Sequence, residues 1–214
     1  MAKRILKEYQ RKRNFEVTPE PDGDKSPSAP KTGLLLYVIH KHQATHLHYD
    51  LRLEWRGVLL SWAVPKGPSL DPSVKRLAAQ VEDHPLDYGT FEGVIPEGEY
   101  GGGTVMLWDY GTWTPEIPDV DSALKEGELK FTLHGKKLRG SWVLVRTRLG
   151  YGRSSGKPQW LLIKHRDRFA SARDVASEMP RSVSSARLLA DIARDEHGDV
   201  ARAAKGDPAG SRAR

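Results

Sequence analysis

The sequence predicts a mainly β protein, a compact β-barrel of short antiparallel strands with a few peripheral helices. Three observations carry this expectation. Between Leu34 and His165 the apolar residues fall in short runs separated by turn signals. The run from Leu47 to Trp55 alternates strictly, with Leu47, Tyr49, Leu51, Leu53 and Trp55 on one parity and His48, Asp50, Arg52 and Glu54 on the other. An extended chain sends successive side chains to opposite faces, so this is one strand with an apolar face and an ionisable face. Helical spacing is scarce before Ala170. A chain of 214 residues with 38% hydrophobic content has material for one sizeable core, which argues for one globular domain with tails.

Taken in order, residues 3–10 suit a short helix. The stretch RKRNFEVTPEPDGDKSPSAPKTG then reaches Gly33 with four prolines and no helical period, so residues 1–33 read as a basic arm and loop. Arg13, Phe15 and Glu20 are the arm's candidates for folding back over a site. Leu34 to His42 is a strand, apolar on both parities until His40 and His42, which implies burial followed by emergence at a rim. Gln43 to His46 bends the chain into the alternating strand, Arg56-Gly57 is a hairpin turn, and Val58 to Val64 is the return strand. Pro65-Lys66-Gly67-Pro68 ends it. Alternation resumes from Arg76 to His84, predicting a strand with Arg76, Gln80, Glu82 and His84 on a shared face.

Tyr88 to Gly103 is loop-rich, and its EGEYGGG reads as a turn at a barrel corner rather than a phosphate cradle, because no lysine and helix follow it. Next come a strand at Thr104 to Asp109, a Tyr110-Gly111 turn and a short strand at Thr112 to Thr114. Asp121 to Glu126 suits one or two helical turns. Strands follow at Glu128 to His134, Leu138 to Arg148 and Gln159 to His165, closing a barrel domain over 34–169. Residues 170–214 are rich in Ala, Ser, Arg and Asp, with helical spacing at Val183, Leu188, Leu189 and Ile192; peripheral helices and a disordered basic tail are expected.

The formal net charge is +6, concentrated at the ends, where Lys3, Arg4, Lys7, Arg11, Lys12 and Arg13 face only Glu8. A cationic surface favours polyphosphate partners through counterion release. No apolar run of about 18 residues is present for a membrane span, and the start lacks a hydrophobic stretch with a cleavage site, so a cytoplasmic protein without a membrane partner is expected. The chain has no cysteine, so a metal must be held by His, Asp or Glu.

Four of the eight histidines lie between His40 and His48. His48 and Asp50 share a strand face, and His42 precedes the bend that turns the chain back, so the three can converge. Two imidazoles and a carboxylate leave coordination positions open, and such a set suits Mn(II), Fe(II), Zn(II) or Co(II). Phosphate chemistry also needs fixed positive charge. Arg52 shares the face of Asp50, while Arg76 and His84 share the face of another strand; guanidinium groups hold phosphate through paired hydrogen bonds. The run HKHQATH lacks the Asp of an HxHxDH metallohydrolase and the spaced Glu of a cupin.

Longer motifs carry a resemblance. HQATHLHYDLRLEWRGVLLSWAVPKGPSLDP, RLAAQVEDHPLDYGTFEGVIPEGEYGGGTV, WDYGTW and WLLIKHRD closely resemble the 3′-phosphoesterase module of bacterial DNA ligase D, the end-healing component of non-homologous end joining. The resemblance covers about Tyr9 to Ala170, with no comparable match in the tail. It implies a compact β-barrel and a manganese-dependent enzyme, with Co(II) as another usable metal. It implies removal of a 3′-terminal ribonucleotide and then hydrolysis of the 3′-phosphate to a 3′-OH. By position, His42, His48 and Asp50 match metal ligands, and Arg52, Arg76, His84 and Tyr88 match groups that engage or support the scissile phosphate. Arg13 and Glu20 match an N-terminal KRDF…TPEP motif, and Glu82 and Lys66 match further polar positions. Two positions depart: Asn14 stands where Asp is usual, which bears on the ribonucleotide-removing step, and His40 stands where Gln is expected. The implied partners are DNA or RNA-tailed DNA 3′ ends. The chain has no polymerase or ligase sequence, so it is expected to be a stand-alone version or an excised module, a monomer with a ligase and polymerase acting in trans. Two other readings use the same residues: a non-catalytic nucleic-acid end-binding module, and a two-His, one-carboxylate Fe(II) oxygenase.

Overall fold

The computed structural model describes residues 6–23, 33–147 and 158–211. Residues 1–5, which include 3–5 of the expected first helix, 24–32 of the arm, the 148–157 connection and residues 212–214 lie outside them. Among the described residues nine strands are present: β1 (Leu35–Gln43), β2 (Leu47–Trp55), β3 (Val58–Val64), β4 (Lys75–Gln80), β5 (Gly93–Ile95), β6 (Gly103–Pro115), β7 (Glu128–Gly135), β8 (Arg139–Arg146) and β9 (Gln159–Lys164). All pairings are antiparallel, in the order β1-β2-β3-β4-β9-β8-β7-β6. Pairing of β6 back onto β1 closes an eight-stranded barrel, the predicted fold class. β5 lies outside the ring, on the edge of β6 that β7 leaves free.

The alternation of β2 decides which side faces in. Tyr49, Leu51 and Leu53 enter the barrel, joined across the register by Tyr37, Ile39, Trp62 and Val64. Trp108, Trp113, Phe131, Trp142, Leu144, Trp160 and Leu162 fill the remaining space. The interior is therefore a packed apolar core, as small barrels require. The opposite parity, His48, Asp50, Arg52 and Glu54, lies on the outer surface of the sheet. Asp50, Arg52 and Glu54 are nevertheless buried and His48 is half-buried, because a second apolar cluster of Leu6, Tyr9, Val58, Leu59 and Tyr88 lays the N-terminal arm over this face. The arm contains α1 (Lys7–Arg11) and is tied down where Tyr9 donates from its hydroxyl to the carbonyl of Pro21 at 2.6 Å.

The β2–β3 hairpin has the expected two-residue turn, with Arg56 at φ 50° and Gly57 at φ 82°, the paired positive values that such turns need. Three expectations are corrected. First, residues 103–115 form one strand; Gly111 is no turn but a point where backbones crowd, since a Cβ there would lie 2.2 Å from the carbonyl oxygen of His134. Asp109 reinforces this region, accepting from Tyr37 Oη (3.1 Å), Lys137 N (2.9 Å) and Leu138 N (2.8 Å). Second, β4 stops at Gln80 and does not carry its face through to His84. Ala78 points into the core, whereas His84 reattaches outside through a two-way backbone bridge with Leu59. The shared parity of Arg76 and His84 is thus broken by the chain leaving the sheet.

Third, the C-terminal segment is ordered through Ser211. It forms α3 (Val175–Glu178), α4 (Leu189–Asp195) and α5 (Val200–Ala204), after α2 (Val120–Glu126) earlier in the chain. Leu189, Ile192 and Ala193 join the main core, while Val183 lies outside any helix and donates its backbone N–H to Leu107. Asp207 accepts from the N–H groups of Leu189 (3.1 Å) and Ala190 (3.0 Å), which satisfies the start of α4 and holds the tail against it. Among the described residues, no helix is long and apolar enough to cross a membrane.

Because Leu51 is fully buried at the barrel centre, Leu51→Ala should lower unfolding free energy by about 2–5 kcal/mol. Urea unfolding followed by tryptophan fluorescence reads this; a loss below about 1 kcal/mol would mean that the inner face of β2 is not core.

Candidate functional site

The register builds the site before any side chain is considered. His42 lies directly opposite His48, His40 opposite Asp50, and Arg52 opposite Val38 and Ser61. Two adjacent strands thus stack their ionisable groups in consecutive rows on one face, where cross-strand neighbours come closest. Above them lies a cavity of about 330 Å³ lined by His42, His48, Asp50, Arg52, His84 and Tyr88, with the arm contributing Arg13 and Glu20.

His42, His48 and Asp50 offer ligand atoms within 4.8 Å of one another. His48 Nε2 is 3.7 Å from Asp50 Oδ1, and His42 Nδ1 is 3.9 Å from Asp50 Oδ2. His48 Nδ1 lies 3.0 Å from the carbonyl oxygen of His46 and so carries the proton, which leaves Nε2 as a bare donor. Burial and the neighbouring His48 push His42 down to about 3, so its imidazole is neutral. Burial disfavours the Asp50 anion, yet Arg52, His48 and His42 together hold its carboxyl below the ordinary value. The neutral His42 imidazole, His48 Nε2 and the Asp50 carboxylate are a donor set that fits a divalent cation.

Arg52 fixes the next row. Its Nη2 donates to Asp50 Oδ2 at 3.1 Å, its Nη1 to Ser61 Oγ at 2.8 Å and its Nε to His40 Nδ1 at 3.1 Å. The guanidinium also lies 4.7 Å from the Tyr88 ring. His40 therefore acts as a hydrogen-bond acceptor that orients Arg52; burial and the arginine keep it well below the ordinary imidazole value. Three of the five guanidinium N–H groups are committed among the described residues, and two remain for an anion.

The far wall comes from the arm and from residues 82–88. His84 Nδ1 donates to the Glu82 carbonyl at 2.9 Å, and its Nε2 accepts from Arg13 Nη2 at 3.3 Å. Burial, with Arg52 and Arg13 beside it, holds His84 neutral. Arg13 is itself held by Glu20 Oε1 at 2.9 Å, by the Tyr9 carbonyl and by the face of the Tyr9 ring. Thr18 Oγ1 donates to Glu20 Oε2 at 3.0 Å. Tyr88 packs edge-on against His84 and His40, and burial raises its phenol well above the usual value, so it stays protonated.

The structure brings together His42, His48, Asp50, Arg52, His84, Tyr88, Arg13, Glu20 and Glu82. It does not bring in Arg76 or Lys66. These line a second cavity with Lys41, Tyr49, Asp174 and Asp207, on the other face of the β1–β2 hairpin, because Arg76 shares its parity with the core residue Ala78. Asn14 also stays out: it is exposed, and its Oδ1 accepts from the Glu16 N–H in a turn, a role that Asp would fill equally. Sequence reasoning missed Tyr100, at the tip of the glycine-rich loop and in the cavity wall, and Arg202 in the supposed tail. Arg202 donates to the carbonyls of Ala44 (3.0 Å) and Gly102 (3.4 Å), bracing the hairpin between His42 and His48 and the loop beside it. The EGEYGGG motif could have pointed to Tyr100; nothing local marks Arg202.

The closed β-barrel thus carries on its outer face a His-His-Asp set compatible with a metal ion, an adjoining buried arginine and a neutral histidine, the class of site that can hold an anion beside a cation. The chain belongs to the DNA ligase D 3′-phosphoesterase domain family, whose model matches residues 40–146. It is 54% identical over 199 residues to the multifunctional non-homologous end joining protein LigD of Pseudomonas aeruginosa, covering 92% of this chain and 22% of that protein. It is 46% identical over 142 residues to the LigD DNA repair protein of Mycobacterium tuberculosis, covering 66% of this chain and 18% of that one. LigD of Mycolicibacterium smegmatis is 43% identical over 149 residues, 67% of this chain and 19% of that protein. The chain thus spans about a fifth of the length of these relatives. The similarity to the Pseudomonas protein runs past Ala170 into the C-terminal segment, correcting the expected limit of the resemblance.

Behind the arginine wall, burial together with Glu8 and Glu82 pushes Asp83 up to about 6. A carboxyl raised on folding favours the protein below its unfolded value, and that contribution is lost as pH rises through the folded value. Asp83→Asn should flatten the decline of stability between roughly pH 4 and 6 and leave the variant on the order of 2 kcal/mol more stable than the native protein at pH 7. Denaturant titrations across this range measure it, and an unchanged slope would show that Asp83 is solvated.

Proposed function

We propose that this chain heals DNA 3′ ends: a metal-dependent phosphoesterase that removes 3′-terminal ribonucleotides and 3′-phosphates, leaving 3′-OH ends for ligation. One observation carries the reading. Asp50 is shared between the candidate ligand set and the buried arginine, at 3.1 Å from Arg52 Nη2, so an anion held by Arg52 would sit beside a bound cation. The alternative of a Fe(II) oxygenase leaves Arg52, Arg13 and His84 without a task. The family resemblance supports Mn(II), with Co(II) as a substitute, held by His42, His48 and Asp50.

The metal would draw phosphate oxygens and offset their charge. The rest falls to the chain's own groups. Arg52 orients the phosphate with its two free N–H groups and stabilises the negative charge that builds on its oxygens. His84, neutral and accepting from Arg13 at Nε2, takes a proton from the attacking water once the phosphate draws the Arg13 guanidinium off that nitrogen. As the new oxygen–phosphorus bond forms, the bond to the departing oxygen breaks, the 5′ oxygen of the terminal ribonucleoside in the first step and the 3′ oxygen of the primer in the second; Tyr88 supplies a hydrogen bond to that oxygen, which leaves with a proton from solvent. Arg13, held by Glu20 and Glu82, meets the strand on the arm side. Arg76 and Lys66, in their separate cavity, are left to phosphates away from the reacting one. The protein works as a monomer, with an end-joining ligase and polymerase as partners.

A primer ending in one ribonucleotide, incubated with and without Mn(II) and resolved on a sequencing gel, tests the function. Stepwise conversion to a 3′-phosphate and then a 3′-OH is expected; binding without conversion would instead favour an end-recognition module. His48→Ala should lower bound Mn(II) to a small fraction of the native stoichiometry, measured by electron paramagnetic resonance, because two donors do not make a site. Native metal content in that variant would remove the triad from the account. For Arg52→Ala, loss of a buried clamp worth on the order of 3 kcal/mol in the transition state should cut kcat by about a hundredfold. Weakened KM with unchanged kcat would make Arg52 a docking residue.

A further inference from the structure

The loop from Pro96 to Gly102 carries one aromatic ring at the lip of the cavity, and nothing in the assignment above uses it. Two consecutive turns hold the loop, Glu99 N–H to Pro96 O at 3.2 Å and Gly102 N–H to Glu99 O at 3.0 Å. Gly102 has no room for a side chain, since a Cβ would stand 2.8 Å from the Pro96 carbonyl oxygen. Gly101, at φ +81°, packs toward the His42 ring, and Arg202 pins the carbonyl of Gly102. Tyr100 is thus presented on a braced loop next to the ligand set.

Its ring lines the same cavity as His42, Arg52 and His84 while remaining 47% exposed. Lys12 Nζ lies 4.9 Å from the ring centroid and the Arg13 guanidinium 5.8 Å from it. Lys12 is held there by Glu8 at 2.7 Å and Glu82 at 2.9 Å. Among the described residues the ring stacks on no other aromatic. A rigid, half-exposed ring flanked by cations at the mouth of an anion pocket is the arrangement by which single-stranded ends are held, the ring taking a base and the cations its backbone. Since every base has a flat face, such a platform is indifferent to base identity.

We propose that Tyr100 is the stacking platform for the 3′-terminal nucleobase. This rests on the phosphoesterase reading for which end enters. The test uses the full chain with Mn(II) and two oligonucleotides that end in a 3′-phosphate, one bearing 2-aminopurine on the terminal nucleoside and one abasic there. With the native protein and Tyr100→Phe, 2-aminopurine fluorescence should be quenched on binding; with Tyr100→Ala the quenching should be lost. The ratio of kcat/KM for the base-bearing over the abasic substrate should fall roughly tenfold in Tyr100→Ala and stay near native in Tyr100→Phe. Equal losses on both substrates, or quenching that survives in Tyr100→Ala, would overturn the platform. Quenching by the native protein without phosphate release would sink the phosphoesterase reading and leave the platform standing. Phosphate release without quenching would do the reverse.

Discussion

The buried charge of Arg52 is the constraint on which the rest of this structure depends. Its side chain is only 3% exposed, and a cation removed from water is tolerated only where its hydrogen bonds are met and an opposite charge is near. Asp50 supplies the charge; Ser61 and His40 supply acceptors. Each comes from a different neighbouring strand or row, so the pairing of β1, β2 and β3 is what makes the arginine affordable. The same low-dielectric setting strengthens any interaction between Arg52 and an incoming anion.

The arm answers the second part of that constraint. The outer face of a barrel would ordinarily be wet, and a wet Arg52 would be screened. Leu6 and Tyr9 cover it by packing on Val58, Leu59 and Tyr88, and the polar members of the arm turn inward as Arg13 and Glu20. The arm therefore does two jobs with one fold-back: its apolar residues exclude water, and its ion pair forms a wall. The C-terminal segment braces the opposite rim through Arg202. Metal ligands, clamp and lip are thus positioned by elements from both ends of the chain around a hairpin near its first quarter.

Much of this was legible in advance. The alternation over β2 needed no tertiary knowledge, because the two-residue period of an extended chain forces His48, Asp50 and Arg52 onto one face. Placement of His42 opposite His48 followed from a short bend between two strands. Arg76 shows where such reasoning runs out. Its parity with His84 holds only while one strand runs unbroken, and the chain leaves the sheet after Gln80. Gly111 misled in the same manner, since a glycine that permits close strand approach is spelled like one that makes a turn.

The sequence by itself determined the fold class, the two-residue period of β2 and the candidate donor set of His42, His48 and Asp50, since these depend on residues within a few positions of one another. Only the tertiary structure decided that the ionisable row faces outward and is then buried, that Tyr100 and Arg202 belong at the site, and that Arg76, Lys66 and Asn14 do not line it. Those outcomes hang on contacts between residues far apart in the chain, such as Arg202 with Ala44 and Arg13 with His84. They follow from how segments distant in the chain pack around the β1–β2 hairpin of the closed barrel, and no local pattern encodes that packing.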